Sequence, residues 1–142
     1  MVARGKLIIL ICSWLVIFAA YISVLCVSPV LNIIINELNL TSSQAGLLYS
    51  SPVITLAMFA FMGGFLGDNI GPRTVAGLGI TLLSVSSILR GISTNFIVLL
   101  LLNLIVGIGW GLIFPSLPKL VKLWFPDRLS GTATGIYSTG VF

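Results

Sequence analysis

Four stretches of this chain, residues 7–36, 38–67, 74–89 and 91–118, contain no charged residue at all. Uncharged runs of that length have few places to go. A bilayer core of about 30 Å takes about 20 helical residues, and a helix is favoured there because it satisfies every backbone group within one segment. A soluble domain carries roughly a quarter charged residues. Here the figure is 7%, with 58% apolar residues and a mean hydropathy of +1.20, so too little polar surface exists for water to solvate. The expected fold is an all-α, polytopic transmembrane helix bundle, with the lipid bilayer as its first partner. Helices are placed near 7–27, 42–66, 73–91 and 96–117, and a fifth from about 129.

The fifth run is still apolar at Phe142. Its fourteen residues would rise only about 21 Å as a helix, short of a full crossing, which leads to the expectation that the chain is part of something longer. Arg4 and Lys6 before an apolar stretch look superficially like a secretory signal. However, residues 7–27 exceed the roughly 7 to 15 residues of such a core and are followed by further spans. Counting cations by alternate sides gives Arg4, Lys6, Arg73, Lys119, Lys122 and Arg128 on one side and Arg90 on the other. The positive-inside bias then puts the N-terminus in the cytoplasm and the protein in the cell membrane.

Composition also narrows the chemistry. The absence of histidine removes Ser-His-Asp and HExxH arrangements from this chain. The scattered cations cannot build a phosphate-tracking stripe, so nucleic acid is not an expected partner. Gly107-Ile108-Gly109-Trp110-Gly111 lacks the dinucleotide-binding spacing and a preceding strand, and Gly5-Lys6 is followed by leucine. No cofactor, metal site or enzymatic activity is expected. Cys12 and Cys26, on one helix, would lie about 21 Å apart, too far for a disulfide.

Local signals set the helix ends. Thr41 with Gln44 has the pattern of a capping box, and Pro72 suits a first helical turn. Pro115 and Pro118 are expected to kink or end the fourth helix, leaving 119–124 as a short stretch at the membrane surface.

The faces of the helices carry a second layer of information. Gly46, Ser50, Ala57, Ala60, Gly64 and Gly67 share one arc of the second helix, and Gly77, Ser84, Ser87 and Gly91 recur along the third. Gly107 with Gly111, and Gly131 with Gly135, show the small-xxx-small spacing that lets membrane helices approach closely. Such stripes serve static packing or helices that slide. The first helix instead presents Ser13, Tyr21, Ser28 and Asn32 on one side, either lining a cavity or bonding its own backbone and the headgroup layer. In the fourth helix, Asn103 and Trp110 share an arc. An amide beside an indole can hold a small solute, and an amide can equally tie helices together. No Asp, Glu, Lys or Arg is expected deep in a complete span.

The segment from Gly64 to Arg73, GFLGDNIGPR, resembles the signature loop of the major facilitator superfamily, G-x-L-a-D-r-x-G-r-r, between the second and third helices. Gly64, Leu66, Asp68, Gly71 and Arg73 match, Gly67 stands at the small position, and Asn69 and Pro72 replace usually basic residues. Leu99, Asn103, Gly107 and Gly109 are similar to the family's fourth-helix motif, with Asn103 where an arginine is usual. Trp124-Phe125-Pro126 and the run from Gly131 to Gly135 resemble the cyanate and nitrate/nitrite porter branches, with Ser130 at a usually basic position.

The resemblance implies a partial N-terminal half of a twelve-helix transporter. It further implies an inner gate at Asp68 and Arg73 that meets a second half outside this chain. Together with the helix faces, it gives the expected function: alternating-access movement of a small solute, with an anion as the leading class and Ser13, Tyr21, Asn103 and Trp110 as candidate cavity residues. The partners are then the bilayer, the solute and the remaining C-terminal helices of the transporter. The alternative is a membrane adaptor or assembly subunit that binds partner helices through its glycine stripes.

Overall fold

The computed structural model describes residues 2–125 and 127–141, with backbone only for residues 2–4 and 127–128. Pro126, Phe142 and the side chains of Arg4 and Arg128, which entered the reading above, lie outside the described residues. The described residues form six α-helices, α1 (Val2–Leu25), α2 (Val27–Leu38), α3 (Ser42–Ile70), α4 (Pro72–Gly91), α5 (Phe96–Trp124) and α6 (Asp127–Ser138), followed by a 3-10 turn at Thr139–Val141. No strand occurs among the described residues.

Helices α1 and α2 together form one long apolar passage, Gly5–Leu38, interrupted at Cys26. With α3, α4 and α5 it makes four elements long and apolar enough to cross a bilayer. The break falls where the sequence allows it. Pro29 lies in the first turn of α2, where its missing N–H costs nothing. The α2–α3 link turns on Asn39 in the left-handed region (φ 51°), and α3 starts with the expected capping box. In that box the Thr41 N–H donates to Gln44 Oε1 at 2.9 Å, and the Gln44 N–H donates to Thr41 Oγ1 at 3.4 Å. Asn95 caps α5 by accepting from the Ile97 N–H at 2.8 Å.

The prolines of α5 neither end nor divide it. Helix α5 runs unbroken through Pro115 and Pro118 to Trp124, which corrects the expected stop near residue 117. A membrane helix tolerates proline when neighbours occupy the space around the carbonyl it leaves without a donor. The Gly111 carbonyl, deprived of its partner by Pro115, faces Gly63 of α3 so closely that a Cβ on Gly63 would lie 2.7 Å from that oxygen. Helix α3 handles Pro52 differently, with the Ser51 hydroxyl donating at 3.1 Å to Leu48 O, the carbonyl that Pro52 cannot serve.

Helix α5 is the centre of the bundle, with α3 and α4 against its two sides and α1 and α6 closing the remainder. Glycines set the two main crossings. A Cβ on Gly107 would sit 2.0 Å from Thr55 Oγ1 and 2.3 Å from the Pro52 carbonyl, and Gly109 and Gly79 each bring their backbone against the other's carbonyl. Gly107 and Gly111 therefore pack as their spacing predicts. Most of the stripes expected on the second and third spans do not, since Gly46, Gly64, Gly77 and Gly91 have nothing within 4 Å of an added Cβ. Gly67 is the exception, buried against Lys119 and Ser116 of α5, and the other buried glycines there are Gly63 and Gly79. Gly131 and Gly135 are likewise open, while Ala133 and Tyr137 carry the buried side of α6. Large apolar side chains such as Met58, Phe61 and Phe65 point outward, which suits a lipid surroundings.

Gly107→Ala is expected to destabilise the bundle by about 1–3 kcal/mol or more, because the new methyl meets the Pro52 backbone as well as the Thr55 hydroxyl. Gly77→Ala should be neutral or slightly stabilising. Thermal unfolding of the two variants in detergent separates the crossings from the open stripe.

Candidate functional site

The end of the bundle carrying the α3–α4 turn is held by one cation. Gly71 adopts φ +90°, the positive-φ conformation that glycine takes without strain, and Pro72 starts α4 immediately after it. This turn leaves Asp68 near the last turns of α5. Lys119 Nζ lies 2.7 Å from Asp68 Oδ1 and donates to the Gly64 carbonyl, also at 2.7 Å. Gly67 provides the floor under the ammonium: a Cβ there would lie 3.8 Å from Lys119 Nζ. Asp68 thus has a partner within this chain, whereas the resemblance placed its partner in the absent half. The cause is the continuation of α5 through Pro118, which keeps Lys119 on the helix face that meets α3.

Side-chain exposures of 35% for Lys119 and 71% for Asp68 limit such a pair to about 0–1 kcal/mol of stability. Its effect is to fix the relative position of two helix ends. Leu66 is half-buried, and Arg73 is exposed. Arg73 lines a separate cavity of about 250 Å³ with Ser13, Ala76 and Trp124, and Ser13 is 1% exposed with no partner for its hydroxyl.

Midway along the bundle, two of the sequence candidates meet. The rings of Tyr21 and Trp110 pack edge to face with centroids 5.9 Å apart. With Tyr49 and Val53 of α3 they line a recess of about 190 Å³. Ser28 and Asn32, predicted to extend the same polar side, are exposed on α2 beyond the break at Cys26. Asn103 is elsewhere: fully buried, its carbonyl oxygen accepts from Arg90 Nη1 at 2.7 Å. The four candidates therefore occupy three places, and only Tyr21 and Trp110 share one.

Arg90 is the residue whose surroundings the sequence did not show. The third span was expected to end at residue 91, with Arg90 on the side opposite the other cations. It does sit in the last turn of α4, but it is 9% exposed and turns into the bundle. Nη2 donates to Ser23 O and to Cys26 Sγ, so the guanidinium ties α4 to α5 and to the C-terminal end of α1. A cation at that end is favoured by the helix dipole. Arg90 also lines a cavity of about 550 Å³ together with Val27, Glu37, Ser87, Ser93 and Thr94. A signal for its inward turn was present: the guanidinium meets Asn103, where an arginine was expected and is missing.

Four crossings, a braced turn at one end and recesses within define a multi-pass helical membrane protein. Residues 13–142 match the sequence model of the Major Facilitator Superfamily, and the chain belongs to that family. It is 32% identical over 122 residues to the Probable sulfoacetate transporter SauU of Cupriavidus necator, covering 86% of this chain and 28% of that protein. It is 31% identical over 122 residues to the Quinolone resistance protein NorA of Staphylococcus aureus, covering 86% of this chain and 31% of that one. A bacterial homologue of the human lysosomal transporter Spinster, solved inward-facing and unoccupied, superposes with a TM-score of 0.90 at 25% identity, over 96% of this chain and 29% of that structure. The chain spans less than a third of the length of these proteins.

Asn103→Leu should cost about 2–3 kcal/mol, because it strips a buried guanidinium of a charged hydrogen bond. Adding Arg90→Met to Asn103→Leu should recover part of the loss. A double-mutant cycle on thermal unfolding measures the coupling.

Proposed function

We propose that this chain is the N-terminal part of a secondary transporter of the cell membrane that moves a small solute, with a small anion as the class, by alternating access. The supporting observation is the Lys119 bridge to Asp68 and Gly64, which locks the α3–α4 turn to the end of α5. A rocking bundle needs an end contact that can be kept or released without unfolding, and a half-exposed ion pair of small net stability provides one. Family membership and the transporters it resembles favour the same reading, and the name of the sulfoacetate relative favours a small organic anion.

In this proposal Asp68 and Arg73 are gate residues, with Gly64, Leu66, Gly67 and Gly71 shaping the loop between them. Tyr21 and Trp110 form part of the solute wall near mid-membrane, where family sites between helix bundles lie. Ser13 and Asn103, both buried, act behind that wall by setting how the helices meet. The open positions at Gly46, Gly64, Gly77, Gly131 and Gly135 fit the remaining helices of the longer protein, which gives the adaptor reading no separate support. The N-terminus and the Asp68 end face the cytoplasm.

The test uses the intact transporter in proteoliposomes. Asp68→Ala should slow solute uptake about tenfold, equivalent to about 1.4 kcal/mol of barrier, with expression and melting temperature nearly unchanged. Exchanging the charges, Asp68→Lys with Lys119→Asp, should recover part of the rate. Unchanged uptake in Asp68→Ala excludes the gate. A cysteine in place of Arg73 that reacts with impermeant reagents only from outside the cell excludes the orientation.

A further inference from the structure

We propose that Arg90 forms a binding site for a small oxyanion, a carboxylate or sulfonate, in the 550 Å³ cavity between α2, α4 and the start of α5. The proposal rests on the transport reading only for the use made of the bound ion, since binding is measured without uptake.

The argument is a count of donors and acceptors. Arg90 is a permanent cation, and a guanidinium removed from water is costly unless it is paired. Its partners here are two neutral oxygens and a thiol sulfur: Asn103 Oδ1, Ser23 O and Cys26 Sγ. Among the described residues the only ion pair is that of Lys119 with Asp68, so no carboxylate neutralises Arg90. Of its five N–H groups, these contacts occupy three, and Arg90 is part of the cavity lining. The other unmet groups nearby include donors. Ser87 Oγ, on the cavity wall, has no partner, and neither has the Nδ2 amide of the fully buried Asn103 beside the guanidinium. Thr94 adds a hydroxyl to the lining, while that of Ser93 already donates to Asn95 O at 3.3 Å. A surplus of donors around an unpaired cation is complementary to a ligand that only accepts, and an oxyanion is such a ligand.

Two features make the site a built one. Asn103 and the end of α1 hold the guanidinium, so its position is fixed before a ligand arrives. The charge is also supplied across a helix boundary, from α4 onto Asn103 of α5. Glu37 lines the cavity from the far end of α2, about 15 Å along that helix from Val27. Among the described residues it makes no ion pair, and its negative charge in the lining weakens the pull of Arg90 on an anion.

Cys26, exposed and 3.1 Å from Arg90 Nη2, provides a reporter that leaves Arg90 intact. In the intact transporter in detergent, with Cys26 as its sole cysteine, an anionic methanethiosulfonate reagent should modify Cys26 about tenfold faster than a cationic one of equal size, through local attraction. Ethanesulfonate or propionate should slow that reaction, while ethyl methyl sulfone, uncharged and of similar shape, should not. Arg90→Gln should abolish both effects, Arg90→Lys should keep part of them, and Glu37→Gln should strengthen them. Protection in nanodiscs by phosphatidylglycerol alone would make a lipid headgroup the source of the oxyanion, whereas protection by ethanesulfonate in lipid-free detergent makes it a soluble ion.

Faster reaction with the cationic reagent, no protection by either anion, or unaltered protection in Arg90→Gln overturns the site. If Arg90→Gln does not fold, the reagent preference and anion protection with Arg90 in place decide. Uptake of a solute without anion protection sinks this site and keeps the transporter. Anion protection without uptake does the reverse.

Discussion

Everything in this bundle depends on how closely α5 lets its neighbours approach. Between helices in a bilayer no hydrophobic effect favours contact, so dispersion, close backbone approach and polar contacts must hold them. Gly107 and Gly111 bring α3 against one side of α5, and Gly109 opposite Gly79 brings α4 against another. Once those backbones touch, the remaining contacts follow. Lys119 falls within reach of Asp68 and Gly64 at one end, and Asn103 falls within reach of Arg90 toward the other.

The two polar ties differ in kind. The Lys119 bridge is half-exposed, weak in net energy and able to break without leaving a charge stranded in hydrocarbon. The Arg90 tie is buried, and breaking it exposes a guanidinium and an amide to a medium with no partners for either. The first can part at little cost, whereas the second keeps α1, α4 and α5 together as a unit.

Glycines without neighbours are as informative as those that pack. Gly46, Gly64 and Gly77 stand in stripes as regular as any in the chain, yet a methyl there would meet nothing within 4 Å. The chain spans less than a third of its relatives' length, and surfaces that the rest of such a protein could cover are expected. Spacing announces that a face is small. Which face is used depends on the helix that comes to lie against it.

The medium and most of the membrane spans were legible in the sequence. Charge-free runs dictated helices, Thr41 with Gln44 dictated a start, and Pro72 another; the GFLGDNIGPR string marked the family. These signals are local, or depend only on length and composition, so no neighbour is needed to read them. The passage of α5 through Pro115 and Pro118 was not legible, because it relies on Gly63 of another helix standing beside the carbonyl left free. Nor were the partners of Asp68 and Asn103, which lie 51 and 13 residues away and are chosen by crossing geometry. Arg90 shows the division most clearly: its sequence neighbours place it at a helix end near water, and only the approach of α1 and α5 turns its guanidinium inward.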